Sequence, residues 1–204
     1  AEILPKKTKG APPHLQELLG DLIDPSYHPG QDRTSKYLSK PLTSFQRKLR
    51  SKNGKLILRK GSVLTQQEYS SHKPQIVEKF QWMIDHKEWT KDDFPEKWKT
   101  KKFAQRLLHP KWKDEPNITA TSLADDYVHY CQPRVLTVRE WARLQMFPDW
   151  YEFKGPRTTG GRRRAGDPSA GIWDRDVPRY TQIGNAVPVK LAEEVGNHFK
   201  EKFL

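Results

Sequence analysis

The chain has 204 residues, of which 34% are hydrophobic, and its formal net charge is +12. Its single cysteine excludes a disulfide within the chain and fits a cytoplasmic setting, and no segment approaches the ~18 consecutive apolar residues of a membrane span. The low apolar fraction predicts either long irregular segments or a fold completed by something outside the chain, although seven Trp and eight Phe argue against plain disorder.

The first third of the chain is predicted to contain two short helices and one strand. After a proline-rich connector, the segment HLQELLGDLID places four leucines on one helix face: Leu15, Leu18, Leu19 and Leu22. The segment LTSFQRKLRS predicts a second helix with its apolar residues inward (Leu42, Phe45, Leu49) and its basic residues outward (Arg47, Lys48, Arg50). An Asn53-Gly54 turn then leads into KLILRKG, which is typical of a strand.

Positive charge is clustered in this region. The span between Asp32 and Glu68 has no acidic residue and contains Arg33, Lys36, Lys40, Arg47, Lys48, Arg50, Lys52, Lys55, Arg59 and Lys60. Such clustering favours a polyanionic partner over solubility alone. A second cluster, TTGGRRRAG, fits contacts with nucleic-acid phosphates and a solvated surface loop equally well. We predict DNA contacts at Gln46, Arg47, Lys48, Arg50, Arg162 and Arg163.

The remaining elements are mostly helical. PQIVEKFQWMIDHKEW predicts a helix that buries Ile76, Phe80, Met83 and Ile84, and NITATSL is a candidate strand. In LTVREWARLQMFP, Thr137 precedes Glu140 by three residues, which is the spacing of a capping box, and Pro148 is expected to end the helix. A last helix is predicted to begin at Pro188 with an apolar stripe of Leu191, Ala192, Val195 and Phe199.

Few residues suggest catalytic or metal chemistry. Cys131 lies near His129, but no helix start or glycine-rich turn follows it to lower the thiol pKa, so a half-buried structural thiol is favoured over a nucleophile. The seven histidines show no paired ligand spacing, and no metal is expected. The Gly184-Asn185 turn is different, because amides just ahead of a helix favour a carboxylate or phosphate.

Two segments carry a family resemblance. PRVLTVREWARLQMFPDWYEFKG and YTQIGNAVPVKLAEEVG closely resemble the last two conserved motifs of cytosine-5 DNA methyltransferases, in the family's order and about thirty residues apart. NITATSLADDYVHYCQPR and PLTSFQRKLRS look like parts of restriction-system members of that family. The resemblance implies a large α/β domain that binds S-adenosylmethionine and a small target-recognition domain, with DNA between them and the target cytosine flipped out of the duplex.

The resemblance also implies roles for individual residues. Gly184, Asn185, Ala186 and Val187 match the motif that lines the cofactor pocket, where their amides would meet the methionine carboxylate. The helix that braces the recognition domain is matched in its polar positions, which we interpret as structural: Thr137, Arg139, Glu140, Arg143 and Gln145.

Other family motifs have no counterpart in this sequence. We find no Phe-x-Gly-x-Gly cofactor loop, Pro-Cys nucleophile, Glu-Asn-Val motif or Gln-x-Arg-x-Arg strand, and Cys131, which is followed by Gln-Pro, does not replace the nucleophile. No catalytic residue is therefore expected here, and the chain alone is predicted to be inactive. It would be one subunit of a split prokaryotic restriction-system enzyme or a C-terminal fragment of a longer one. The alternative is a stand-alone DNA-binding or regulatory module.

These expectations combine into one architecture. We predict an α/β fold, mixed α+β as an isolated chain, with a connector and short helix in residues 1–30 and a target-recognition domain in residues 31–133. Residues 134–204 would form the bracing helix, the basic loop and a last helix that packs on the catalytic domain. The expected partners are double-stranded DNA and a catalytic subunit or N-terminal domain carrying the missing motifs. The expected cofactor is S-adenosylmethionine, and the expected location is the cytoplasm, in association with the nucleoid.

Overall fold

The computed structural model describes residues 13–86, 93–99, 106–107, 127–158, 169, 171 and 177–203. These residues form six α-helices: α1 Leu15–Leu19, α2 Ser44–Leu49, α3 Pro74–His86, α4 Val138–Leu144, α5 Arg179–Asn185 and α6 Val189–Phe203. They also form four short strands, β1 Ser51–Lys52, β2 Lys55–Leu56, β3 Arg106–Leu107 and β4 Tyr127–Val128. This mixture of helices and small sheets confirms the predicted fold class. The NITATSL strand and residues 159–166 of the basic loop, including Arg162 and Arg163, lie outside the described residues.

The strands pair in two separate two-stranded sheets. β1 and β2 are antiparallel, with Ser51 opposite Leu56, whereas β3 and β4 are parallel, with Arg106 opposite Tyr127. Asn53 and Gly54 connect β1 to β2 with φ angles of 51° and 75°. Two successive positive φ angles are typical of a type I′ hairpin turn, in which Asn-Gly is the favoured pair. The predicted turn is confirmed, but the strand that follows it extends only over Lys55 and Leu56.

The main hydrophobic core surrounds α4. All four leucines predicted on one face of the first helix are buried in it, and α1 continues into a 3-10 turn at Gly20–Leu22. Trp141 and Ala142 of α4 pack in the same core, together with Tyr180 and Ile183 of α5. A second cluster forms around α3, where Phe80 and Met83 are buried as predicted while Ile76 and Ile84 are partly buried.

Both ends of α4 have defined capping structures. The Glu140 N–H donates to Thr137 Oγ1 at 3.1 Å and the Thr137 N–H donates to Glu140 Oε2 at 2.9 Å, which confirms the predicted capping box. The helix ends before Pro148 is reached, because Met146 adopts a left-handed φ of 60°. The N–H groups of Phe147 and Met146 then donate to the carbonyls of Ala142 and Arg143, both at 2.9 Å, in a Schellman arrangement.

Two helices differ from the sequence predictions in the residues they bury. In α2, Leu49 is buried and Phe45 partly buried as expected, but Leu42, which was predicted to belong to the same helix, lies before its start and is 65% exposed. The last helix, α6, has no buried residue along its whole length. Its predicted apolar stripe is instead largely exposed, including Leu191 at 51% and Phe199 at 44%. No helix in the described ranges combines the length and apolar character needed to cross a bilayer.

Candidate functional site

A buried ion cluster lies where α4 meets the N-terminal helices. The Arg143 guanidinium contacts Asp21 on one side and donates to Asp149 on the other, at 2.9 Å from Nε and 2.6 Å from Nη2. Asp21 also binds Arg50, and Asp149 accepts a hydrogen bond of 2.8 Å from the Tyr37 hydroxyl. Burial alone would raise the pKa of Asp149, but the adjacent Arg143 guanidinium lowers it below its usual range. Each charge is thus paired, as a buried charge must be.

A second buried cluster forms around Glu140. The guanidinium of Arg134 donates to both of its carboxylate oxygens at 2.7 Å, and the Gln67 side chain donates to Oε1 at 3.1 Å. Arg134 also lies over the ring of Tyr69, 4.7 Å from its centroid. Burial would raise the pKa of Glu140, but Arg134 and the backbone N–H of Thr137 lower it to about 2. The carboxylate therefore joins the start of α4 to Arg134 and to the buried side chain of Gln67.

The remaining two polar positions of α4 tie it to its neighbours. Arg139 is fully buried and donates to the side chain of Thr65 and the carbonyl of Tyr151, both at 3.1 Å. The carbonyl of Gln145 accepts the Val189 N–H at 3.0 Å, and its side chain donates to the Ile183 carbonyl at 3.4 Å. All five positions predicted to be structural are buried and hydrogen-bonded within the chain. α4 is thereby joined directly to the connection between α5 and α6.

The predicted cofactor residues lie at the end of α5 and in that connection. Gly184 and Asn185 are the last residues of α5 rather than a free turn, and the Ala186 N–H donates to the Ile183 carbonyl at 3.2 Å. N–H groups inside a helix bond to the preceding turn, so the expectation of free amides at Asn185 and Ala186 is corrected. The α5 helix was not predicted from the sequence, because its seven residues bury only two apolar side chains, Tyr180 and Ile183, which is too few to show a helical period.

Unpartnered donors lie slightly further along the chain. In the described structure, the Val187 N–H has no hydrogen-bond partner, and neither do the N–H groups of Lys190 and Leu191 in the first turn of α6. Val187 is also 63% exposed. An exposed helix start with free N–H groups suits a carboxylate. Of the four predicted residues, Val187 thus has a free N–H group and the other three precede it, and their role in binding the cofactor stays a prediction.

The predicted DNA contacts in α2 separate into exposed and buried residues. Arg47 and Lys48 are exposed, and the ammonium of Lys48 lies 3.4 Å from Glu193 of α6. Gln46 and Arg50 are both fully buried, which corrects the prediction that they contact DNA. Gln46 accepts hydrogen bonds from Leu42 and Thr43, at 2.6 and 3.2 Å, in a second capping box. The Thr-x-x-Gln spacing could have revealed this, whereas nothing local marks Arg50 as the partner of Asp21.

The rest of the acid-free span presents a basic surface. Nine of its ten cations are exposed, Arg50 being the exception. Four exposed apolar side chains are interspersed with them: Leu38, Leu42, Ile57 and Val63. We call the nine exposed cations and these four apolar residues together the basic surface. Its composition suits a polyanion with which both charge and apolar contacts are made.

Cys131 has no feature of a catalytic nucleophile. Its side chain is exposed rather than half-buried as expected, and its sulfur lies 3.7 Å from His129 Nδ1. Desolvation nonetheless raises the pKa of the thiol to about 11, and burial lowers the pKa of His129 to about 3. A neutral thiol beside a weakly basic imidazole is poorly suited to attack. Within the described ranges, no group of three or more metal-ligating side chains could hold a metal ion.

Comparisons with known proteins give a consistent result. The family model described as C-5 cytosine-specific DNA methylase matches residues 4–201. Type II methyltransferase M.DdeI of Desulfomicrobium norvegicum is 36% identical over 104 residues, which are 50% of this chain and 22% of that protein. M.Eco47II of Escherichia coli is 40% identical over 87 residues, covering 41% of this chain and 16% of that protein. The chain therefore spans about a fifth of the length of these two relatives.

A third relative is much shorter. Type II methyltransferase M.AquIB of a Picosynechococcus species is 32% identical over 139 residues, which are 67% of this chain and 88% of that protein. Since 139 residues make up 88% of it, that relative is a chain of about 160 residues.

Proposed function

Because the chain belongs to the C-5 cytosine-specific DNA methylase family, we propose that it is the DNA-recognition and cofactor-completing portion of a DNA (cytosine-5)-methyltransferase in a restriction-modification system. Such an enzyme transfers a methyl group to C5 of a cytosine that has been flipped out of the duplex. The catalytic cysteine, and the motifs that the sequence lacks, would be supplied by another polypeptide or by a preceding domain.

The exposed face of α6 is the observation that carries this proposal. A 15-residue helix with no buried residue and with Leu191, Phe199 and Phe203 exposed by 44–64% gains little from the described fold. Most helical stability in proteins comes from packing an apolar face. The α/β catalytic domain is the partner that this face fits, since the resemblance places the last helix against it. The M.AquIB relative is itself a short chain, which supports the proposal that the catalytic domain can be a separate polypeptide.

The geometry next to α6 fits one wall of a cofactor pocket. The free N–H of Val187 and those of the first turn of α6 would hold the carboxylate of S-adenosylmethionine, while Asn185 is exposed beside them. The bound cofactor supplies the methyl group. This chain's contribution is to orient one end of the cofactor. Gln145, at the end of α4, accepts the Val189 N–H and donates to the Ile183 carbonyl. These two hydrogen bonds would hold that wall of the pocket in a fixed position relative to α4.

The DNA contacts that we propose are on the basic surface. Arg47 and Lys48 remain candidates, and the other seven exposed cations of the span join them as phosphate contacts. The acid-free composition of residues 33–67 supports this assignment, because no carboxylate there would repel a phosphate. Arg162 and Arg163 stay proposed contacts from the sequence alone.

A methyl-transfer assay tests the proposal. The chain is purified and assayed with and without a second polypeptide that carries the missing family motifs, and incorporation of labelled methyl from S-adenosylmethionine into DNA is measured. We expect no transfer by either polypeptide alone and robust transfer by the mixture. Robust activity of the isolated chain would contradict the proposal. An inactive mixture, together with cofactor-independent DNA binding, would favour the stand-alone DNA-binding module.

A further inference from the structure

The hairpin formed by residues 51–56 exposes one polar side chain, Asn53, that makes no contact stabilising the described fold. The four residues at its tip, Lys52, Asn53, Gly54 and Lys55, are all exposed. Asn53 is the only exposed carboxamide between residues 33 and 67, because Gln46, Gln66 and Gln67 are buried. Its side chain makes no hydrogen bond within the described part of the chain. The positive φ of Asn53 accounts for the backbone turn, but an Asn side chain is not required for it, since Gly adopts that conformation freely.

The base of the same hairpin is held by several contacts. The carbonyl of Arg50 accepts the N–H groups of Ile57 and Leu58, at 3.2 and 3.1 Å, and its guanidinium is buried against Asp21. On the other side, the Trp150 indole donates to the Ser51 carbonyl at 2.9 Å. The hairpin is thus an exposed tip on a buried ionic anchor. Because the base already restricts the conformation of the hairpin, less conformational entropy is lost when the hairpin binds a partner.

The charge around Asn53 suits a nucleic acid. Lys52 and Lys55 flank it on the two strands, and the ammonium of Lys52 lies 4.8 Å from the centroid of the Trp150 ring. No acidic residue lies within fourteen positions on either side of it. Phosphates could therefore approach both flanks of the tip at once.

We propose that this hairpin enters a groove of the DNA duplex and that Asn53 is a base-reading residue. The major groove is about 12 Å wide and admits a two-stranded β-ribbon, and a carboxamide can both accept from and donate to the edge of one base, as Asn does with adenine. Lys52 and Lys55 then contact the backbone phosphates on either side. This inference rests on the proposed function, because it requires the basic surface to bind DNA.

A selection experiment with matched variants tests it. The full chain, with and without its catalytic partner, is immobilised and offered a pool of duplexes with a randomised core, and the retained sequences are determined. Asn53→Gly is the informative variant, because it keeps the turn conformation and removes only the carboxamide. Lys55→Ala is the control for a phosphate contact. Thermal unfolding of each variant establishes that it is folded.

We expect the wild-type chain to enrich a sequence motif and Asn53→Gly to lose about 5- to 150-fold discrimination at one base pair, the range typical of one bidentate contact. Its salt dependence of binding should be unchanged. Lys55→Ala should weaken binding to all sequences alike and reduce the salt slope by about one. An unchanged motif with Asn53→Gly, or retention of duplexes by the wild type without any motif, would overturn the inference alone. If the wild type retains no duplex, the proposed function itself is overturned.

Discussion

At the scale of single residues, the buried arginines in α4 and just before it distinguish this chain most clearly from an ordinary small domain. Arg134, Arg139 and Arg143 are all fully buried. Charged groups can be taken out of water only when partners replace the lost hydration. Arg143 pairs with Asp21, and Arg139 donates to the Thr65 side chain and the Tyr151 carbonyl, so these two guanidinium groups join segments that are far apart in sequence. Arg134 instead pairs with the nearby Glu140 and fixes the start of α4 locally.

Removing one of these charges should be costly. We expect Arg143→Met to lower the free energy of unfolding by about 3–5 kcal/mol, because Asp149 would keep a buried charge without its main partner. Lys97→Met is the matched control, since the Lys97–Glu78 pair has the same N–O distance of 2.6 Å but is more than half exposed. That change should cost less than about 1 kcal/mol. Urea midpoints at constant m-value measure both, and equal losses would contradict the argument.

The Glu140 carboxylate should make the stability of the chain depend on acid pH. Its pKa is lowered from an ordinary 4.5 to about 2 in the folded chain. A group with a lowered folded pKa contributes stability that is complete above pH 4.5 and is lost as the pH falls towards 2. His129 adds to the same trend, since its unfolded imidazole takes up a proton that the folded one, with a pKa of about 3, does not.

Chemical denaturation at pH 7, 5 and 3 measures this dependence. We expect Glu140→Gln to be less stable than the wild type at pH 7, because Arg134 loses its ionic partner. Its stability should nevertheless fall less between pH 5 and pH 3, because it has no carboxylate to protonate at that position. Parallel stability curves for the two proteins would show that Glu140 is not the group responsible.

At the scale of elements, the sequence predicted those features that depend on neighbours a few residues away. The capping box at Thr137, the Asn53-Gly54 turn and the leucine face of α1 all follow from local spacing, and the structure confirms them. The burial of Arg50 could not be predicted in this way, because it depends on Asp21, which is 29 positions earlier. The end of α4 was also missed, since Met146 adopts a left-handed conformation for which its residue type gives no signal.

The α6 helix offers the most direct test of an element. We expect Phe199→Glu to leave the stability of the isolated chain within about 0.5 kcal/mol, because that side chain is already 44% exposed and stacks on the exposed ring of Phe203. Binding to the catalytic partner should fall more than tenfold, since a buried Phe contributes about 1.5–3 kcal/mol. Asn197→Glu introduces the same charge at another exposed position of α6 and should bind nearly normally. Equal affinities of both variants, measured by calorimetry, would remove this face from the interface.

At the scale of the whole molecule, the surface that the described fold leaves uncovered is the one that the proposed function requires for the cofactor and the catalytic domain. The core closes around α4, but the connection between α5 and α6 presents free N–H groups, and α6 presents an apolar face. A single wall cannot enclose a cofactor, because binding sites for small molecules are concave and bury most of the ligand. Cofactor binding and partner binding should therefore be coupled, each strengthening the other.

This coupling predicts a specific pattern of thermal stability. S-adenosylmethionine should not change the Tm of the isolated chain, whereas with the partner present it should raise the Tm of the chain. At a concentration of 100 Kd the stabilisation is about 2.7 kcal/mol, which for a domain of this size corresponds to roughly 5–11 °C. Adenosine, which lacks the carboxylate that the Val187 region would hold, is the control ligand and should stabilise this chain much less. An equal effect of S-adenosylmethionine on the chain with and without the partner would mean that the two polypeptides do not share the pocket.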